Sequence, residues 1–228
     1  MATTPAPLAR LADVTAAAAG SVLGTTARAL TWARRDPKPL HPRGEIVTAT
    51  LRRIGSTGSG VPWLDTPGVD EALVRISRAV GLPDAVPDIH GLAVRVPVDG
   101  RPADLLLAQT GLGRLTRFTL TAGRRISSRP LTTLLPYRSP AGPLLIAAAA
   151  KTTEAGWDGR TFELFWSVGI GRWAEFGELV LLSEPAPDAE VSFDAITNPV
   201  PGLEPYGWVR RLREPAYRSA REESGRRS

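Results

Sequence analysis

Ala72-Leu-Val-Arg-Ile-Ser77 and Gly91-Leu-Ala-Val-Arg-Val-Pro97 decide the fold class of this chain. Both are β-branched and roughly alternating, the pattern of a half-buried strand. On the N-terminal side Glu45-Ile-Val-Thr-Ala-Thr-Leu-Arg-Arg53 behaves the same way, and on the C-terminal side Ala103 to Gln109 predicts another strand. Short strands joined by Gly/Pro-rich turns point to a β-barrel or sandwich. Strands are predicted again over Leu144 to Lys151, Thr161 to Gly169 and Phe176 to Leu182. Between them the basic stretch Leu115 to Tyr137, which ends at Pro136 and the turn cluster Ser139-Pro-Ala-Gly-Pro143, predicts a helix.

Outside this β-rich middle the pattern changes. From Leu8 to about Ala33 apolar positions recur loosely at helical spacing, which predicts an amphipathic N-terminal helix. Arg34-Arg-Asp-Pro-Lys-Pro-Leu-His-Pro-Arg-Gly44 carries three prolines, each forcing an extended residue before it, and reads as a rigid arm leading into the first strand. Trp208 to Arg221 predicts a short C-terminal helix. The expected organisation is an N-terminal helix or arm over 1–33, a β-barrel domain over 34–221 and a charged tail over 222–228. No internal repeat period is visible.

Composition removes several chemistries. The chain has 228 residues, no Cys, two His, one Met and six Trp, and its 28 basic against 23 acidic residues leave a net charge of +5. Without thiols there is no disulfide framework, iron–sulfur cluster, zinc finger or cysteine nucleophile, and two imidazoles do not make a His-rich metal site. Only two of the 28 basic residues are Lys, which reads as coding bias rather than as a nucleic-acid surface. The longest apolar run, Leu144 to Ala150, is far short of the roughly 20 residues of a membrane span. The N-terminus has no basic region before its Ala-rich stretch, so no secretory signal is expected and cytoplasm is the default compartment.

The blocks, taken in order, resemble the haem catalases and their short catalase-like relatives. Leu40-His-Pro-Arg-Gly44 is similar to that family's His-Ala-Lys-Gly segment, and Val74-Arg-Ile-Ser77 with Gly81 to its Val-Arg-Phe-Ser strand. Asp88-Ile-His-Gly-Leu-Ala-Val-Arg95 is similar to its Asp-Pro-Arg-Gly-Phe-Ala-Val-Lys turn and strand, and Asp104-Leu-Leu-Leu-Ala-Gln-Thr110 to its Asp-Leu-Val-Gly-Asn-Asn-Thr strand. Arg213-Glu-Pro-Ala-Tyr217 fits its Arg-x-x-x-Tyr. The resemblance runs from about residue 34 to 221. It implies an α+β, mainly β fold: a catalase-like antiparallel β-barrel of about eight strands with N-terminal, middle and C-terminal helices. A full catalase is much longer, so its wrapping arms and C-terminal lobe are expected to be missing.

The resemblance also implies a haem b site. His41 would stand on the distal face, taking a proton from peroxide and returning it to the leaving oxygen. Ser77 would hydrogen-bond one nitrogen of His41 and set its tautomer. Arg75, two residues before Ser77 on the same strand face, would pair with a haem propionate, as would Lys38, which stands where the family has Arg. Tyr217 would ligate iron as phenolate, and Arg213 and Arg221, four residues to either side, would supply positive charge that favours the phenolate. Three positions depart from the pattern. Ala108 replaces the distal Asn, Pro215 sits between Arg213 and Tyr217, and no aromatic residue is identified to stack on the haem.

His90 falls in a predicted turn and is expected to be structural or solvated. Asp88 reads as a turn-capping carboxylate. Gly55-Ser-Thr-Gly-Ser-Gly60 lacks the ending of a phosphate loop and reads as a mobile hairpin or loop tip.

The leading expectation is a peroxide-dependent, peroxidase-like haem oxidoreductase with weak catalase activity at most, acting on hydrogen or organic peroxide and an organic co-substrate. One alternative is a catalase-like barrel that has lost haem and serves as a binding or scaffold module; another is a nominal phosphodiesterase, although no metal cluster or nucleophile motif supports it. Basic charge concentrates at residues 28–53 and 210–228, yet no DNA- or RNA-binding motif accompanies it, and nucleic acid is not an expected partner. Homo-oligomerisation is left open.

Overall fold

The structure, a computed structural model, describes residues 45–79, 86–185 and 191–211. The expected N-terminal helix, the proline arm and the charged tail lie outside these residues.

The described strands are β1 (Glu45–Arg53), β2 (Gly68–Arg78), β3 (His90–Val98), β4 (Arg101–Gln109), β5 (Leu131–Thr132), β6 (Tyr137–Ser139), β7 (Gly142–Thr153), β8 (Gly156–Val168), β9 (Ala174–Pro185) and β10 (Glu204–Pro205). All pairings are antiparallel. Running β1-β2-β3-β4-β5-β7-β8-β9 and back to β1, eight strands close a barrel, which removes the unpaired edges of an open sheet. The short strands β6 and β10 extend from β7 outside the closed ring. Strand β1 begins and ends where its β-branched alternation does. Strands β2 and β7 to β9 run longer than predicted, because cross-strand pairing recruits flanking residues that carry no pattern of their own.

The β3–β4 hairpin is the tightest link. Asp99 and Gly100 have φ of 51° and 74°, the two left-handed positions of a two-residue hairpin turn, for which Asp-Gly is a favoured pair. That turn fixes the register down both strands, pairing Val98 with Arg101, Arg95 with Asp104 and Gly91 with Ala108.

Alternation then decides what faces inward. Val47, Ala49, Leu51, Val74, Leu92, Val94, Leu105, Ile146, Phe162 and Leu179 are all buried within one core cluster. An eight-stranded barrel is just wide enough for its own side chains or one small ligand, and here the buried side chains of the core cluster occupy it. A large ligand therefore has no room inside and must use the outer face.

Both ends are plugged. At one end α1 (Pro62–Asp65) carries Trp63 and Leu64 into the core. Arg53 holds it there, donating to Asp70 at 2.8 Å and to the carbonyls of Trp63 and Thr66 at 2.8 and 2.7 Å. The Gly55–Gly60 stretch is a loop, as expected, exposed at Thr57, Gly58 and Gly60 and anchored at Ser59. Ser59 is fully buried and donates to Asp65 Oδ1 at 2.7 Å, and the Gly60 amide donates to Oδ2 at 2.9 Å. The other end is closed by His90, Gln109 and Ile126, all buried.

The predicted middle helix does not form. Residues 115–137 hold two 3₁₀ turns, Thr116–Phe118 and Ile126–Ser128, followed by β5 and the start of β6. Gly123, Pro130 and Pro136 interrupt any continuous helical ladder. Tertiary partners take the backbone groups instead: the Thr121 amide donates to Gln109 O, Gly123 exchanges two bonds with Asp88, and the Thr133 amide donates to Ile146 O. At the C-terminal end residues 207–211 are helical, and the remainder of the predicted helix lies outside the described residues.

Candidate functional site

The outer face of β2, β3 and β4 holds the sequence-predicted residues that the structure describes. Ala72 and Val74 point into the core, so Arg75 and Ser77 point out, as the two-residue spacing predicts. Both are half-buried. His41, Lys38, Arg213, Tyr217 and Arg221 lie outside the described residues.

Ser77 pairs with Gly91, and Gly91 with Ala108, in one row across three strands. One step along, Arg75 pairs with Ala93, and Ala93 with Leu106. The side of this platform nearer Ser77 is nearly flat, with nothing longer than a hydroxymethyl group. A Cβ at Gly91 would lie 2.9 Å from Ser77 Oγ, closer than ordinary packing allows, so the glycine keeps the hydroxyl uncovered from that side. Ala108, at the position of the expected distal Asn, presents a methyl group.

Two covers bound the platform. Beyond β4, the outward-facing Leu145, Ala147 and Ser167 on β7 and β8 are fully buried, and Arg117, from the turn after Gly111, donates to Ser167 Oγ at 2.9 Å. On the other side Asp104, outward on β4, is fully buried beneath residues 192–198. Its carboxylate accepts two bonds from Arg95, both at 2.6 Å, one from the Asp194 amide at 2.7 Å and one from Asn198 Nδ2 at 3.0 Å. Arg95 also donates to Ser192 O at 2.7 Å and stands over the Phe193 ring. Hydrogen bonding to Asp104 raises the Arg95 pKa further above its ordinary value against the opposing effect of burial. Sequence reasoning missed this clamp, yet its signal was present: an Asp99-Gly100 two-residue turn places residues 95 and 104 directly opposite.

Arg117 was missed as well, and no local signal would have found it. The side chain is 2% exposed. Nε donates to Gly113 O at 3.1 Å; one terminal nitrogen donates to Ser167 Oγ at 2.9 Å and Gly169 O at 3.0 Å; the other donates to Leu112 O at 3.2 Å and Gly171 O at 3.1 Å. All five donors of the guanidinium are thus used. The cation lies 4.4 Å from the centroid of the Trp173 ring, and Trp173 Nε1 donates to Leu112 O at 2.8 Å. Burial first, and then the nearby positive Arg114, lowers its pKa.

His90 is the first residue of β3, not a turn residue, and is buried. Gln109 Nε2 donates to the Arg125 and Ile126 carbonyls at 2.7 and 3.1 Å, so its Oε1 accepts. The His90 Nδ1 contact with that oxygen at 3.0 Å therefore makes Nδ1 the protonated nitrogen. This is a structural role, as expected. Asp88 accepts from the Ile89 amide at 2.7 Å and faces Arg78 at 3.8 Å, in keeping with a capping carboxylate. Among the described residues no group of three or more His, Asp or Glu side chains is placed to hold a metal ion.

No family model and no curated protein matches the chain. Solved structures do. A bacterial catalase superposes with a TM-score of 0.51 at 12% identity, over 82% of this chain and 59% of that one. Catalase A from Saccharomyces cerevisiae superposes with a TM-score of 0.53 at 11% identity, over 82% of this chain and 63% of that one. The likeness gives the barrel a catalase-like fold, and the chain spans less than two thirds of the length of either relative.

Proposed function

We propose that this chain binds haem b on the outer face of β2–β4 and acts as a peroxide-dependent, peroxidase-like oxidoreductase with weak catalase activity at most. The observation that carries the reading is the row Ser77–Gly91–Ala108 beside Arg75. A filled barrel leaves only its outside for a large planar ligand. There a flat patch, kept open by a glycine, adjoins a guanidinium suited to a propionate.

The described residues fit a haem in this respect. In this reading Arg75 and Lys38 hold the propionates, Tyr217 holds the iron, and Arg213 and Arg221 favour its phenolate form. His41 moves the proton between the two peroxide oxygens, and Ser77 holds the imidazole in the tautomer that can accept it. When bound, haem supplies the redox chemistry of peroxide cleavage. With Ala108 in place of an amide, one hydrogen-bond donor toward bound peroxide is missing, which is why fast catalase turnover is not part of the proposal.

The test is an absorption spectrum of the full chain produced with haem supply. A Soret band that shifts in Tyr217→Phe is expected. A colourless protein that ignores added haemin overturns the reading.

Ala108 also favours a second reading, a barrel that has lost haem and serves as a binding module. That reading expects a stable fold without haem affinity. It is refuted by a peroxide-dependent activity that both His41→Ala and Tyr217→Phe abolish.

A further inference from the structure

Arg117 ties two turns outside the barrel into one rigid tip. Its guanidinium bonds the carbonyls of Leu112 and Gly113 on the first turn and of Gly169 and Gly171 on the second, and Trp173 closes over it. The tip presents two large aliphatic side chains to solvent, Leu115 at 72% exposure and Ile170 at 51%. Arg114 and Arg172 beside them are exposed.

The surroundings are cationic. No Asp or Glu occurs between Asp104 and Glu154, whereas Arg114, Arg117, Arg124, Arg125 and Arg129 do, as does Arg138, which is paired with Glu204. Positive charge is therefore not confined to the two ends of the chain. The first carboxylate after Trp173 is Glu175, which lies on β9 within the field of Lys151.

Aliphatic side chains on a fixed tip, flanked by the exposed Arg114 and Arg172, match one kind of partner. At an anionic bilayer Leu and Ile enter the boundary of the acyl region while Arg meets lipid phosphates. Single-stranded nucleic acid is disfavoured because the tip has one aromatic residue, Trp173, and Arg117 already covers one face of it. Locking the turns in advance also lowers the ordering cost of docking.

We propose that the tip formed by residues 112–117 and 169–173 docks the protein on the anionic phospholipid surface of a membrane. This is independent of the haem reading.

The experiment uses the full chain with vesicles of phosphatidylcholine alone or mixed with phosphatidylglycerol. Co-sedimentation is expected only with the mixed vesicles, weakening as salt rises. Leu115→Ser with Ile170→Ser should lower the partition coefficient about tenfold, and Arg114→Gln about fivefold. Both aliphatic residues are exposed, so circular dichroism should show an unchanged fold. Because the chain has no cysteine, Leu115→Cys accepts a single environment-sensitive dye, whose emission should shift to the blue on mixed vesicles. The proposal is overturned if the double serine variant binds mixed vesicles as the parent does, or if the dye keeps its aqueous emission while the chain is bound. Equal retention on duplex DNA, with no effect of the serine substitutions on either partner, would reassign the tip to general polyanion binding and overturn it too.

Discussion

Ser77 on β2 and Gly91 on β3 are directly paired, and a Cβ at position 91 would lie 2.9 Å from the Ser77 hydroxyl oxygen. The hydrogen that stands in place of that carbon is therefore what leaves the hydroxyl accessible on the outer face. If the face carries haem, Gly91→Val should retain β-sheet circular dichroism and bind haem at least about tenfold more weakly, near 1.4 kcal/mol. Titration of haemin into the apoprotein, followed at the Soret band, reads this directly. Unchanged affinity would move the platform elsewhere.

Ala108 completes the same row. Ala108→Asn places an amide donor where only a methyl group stands. In the haem-loaded protein the rate of hydrogen peroxide disproportionation to water and oxygen should rise about tenfold or more, measured by oxygen evolution, with little change in the affinity for haem. A variant no faster than the parent would show that a missing donor at this position does not limit turnover.

Arg117 predicts a stability effect that charge alone does not explain. Lysine keeps the charge but has three donors and no planar fork, so Arg117→Lys leaves at least two of the five oxygen partners without it. About 2–4 kcal/mol of stability should be lost, read as a lower urea midpoint, and hydrogen exchange should accelerate in residues 112–118 and 167–173 first. A midpoint unchanged from the parent would mean that water replaces the guanidinium without loss.

Asp158 sets a pH dependence. Hydrogen bonds from the Thr161 hydroxyl and from the Arg160 and Thr161 amides lower its pKa from 3.8 to about 2. The folded carboxyl binds its proton less readily than the unfolded one, so its stabilising effect is complete above about pH 4 and is lost as pH falls toward 2. Asp158→Asn should flatten the acid limb of stability within that window and lower stability at neutral pH, where the carboxylate is ionised, with the two proteins converging as pH falls toward 2. Urea midpoints between pH 2 and 7 check the sign; a difference between parent and variant that grows as pH falls would contradict it.

Much of the barrel was legible because each strand carries its own alternation. Strand β1 matches its predicted bounds, and Arg75 and Ser77 share the outer face that their spacing assigned them. The Asp99-Gly100 turn held further information, since a two-residue hairpin dictates the Arg95–Asp104 pair and the Gly91–Ala108 pair. The stretch 115–137 misled for the opposite reason. It has no strong local pattern, and its backbone is organised by β4, β7 and Asp88, which lie elsewhere in the chain.

By itself, then, the sequence determined the strand-rich class, the shared face of Arg75 and Ser77 on β2 and the absence of thiol chemistry, all of which follow from local periodicity or residue counts. Only the tertiary structure decided that the strands close into a filled ring and that the platform beside Arg75 is half-buried while Leu145, Ala147 and Ser167 on the outer faces of β7 and β8 are fully buried. It alone brought Arg117 to Ser167, 50 residues away in sequence. These features depend on which distant segments meet. Burial and hydrogen bonding across such separations are set by closure of the whole barrel, and no local pattern records them.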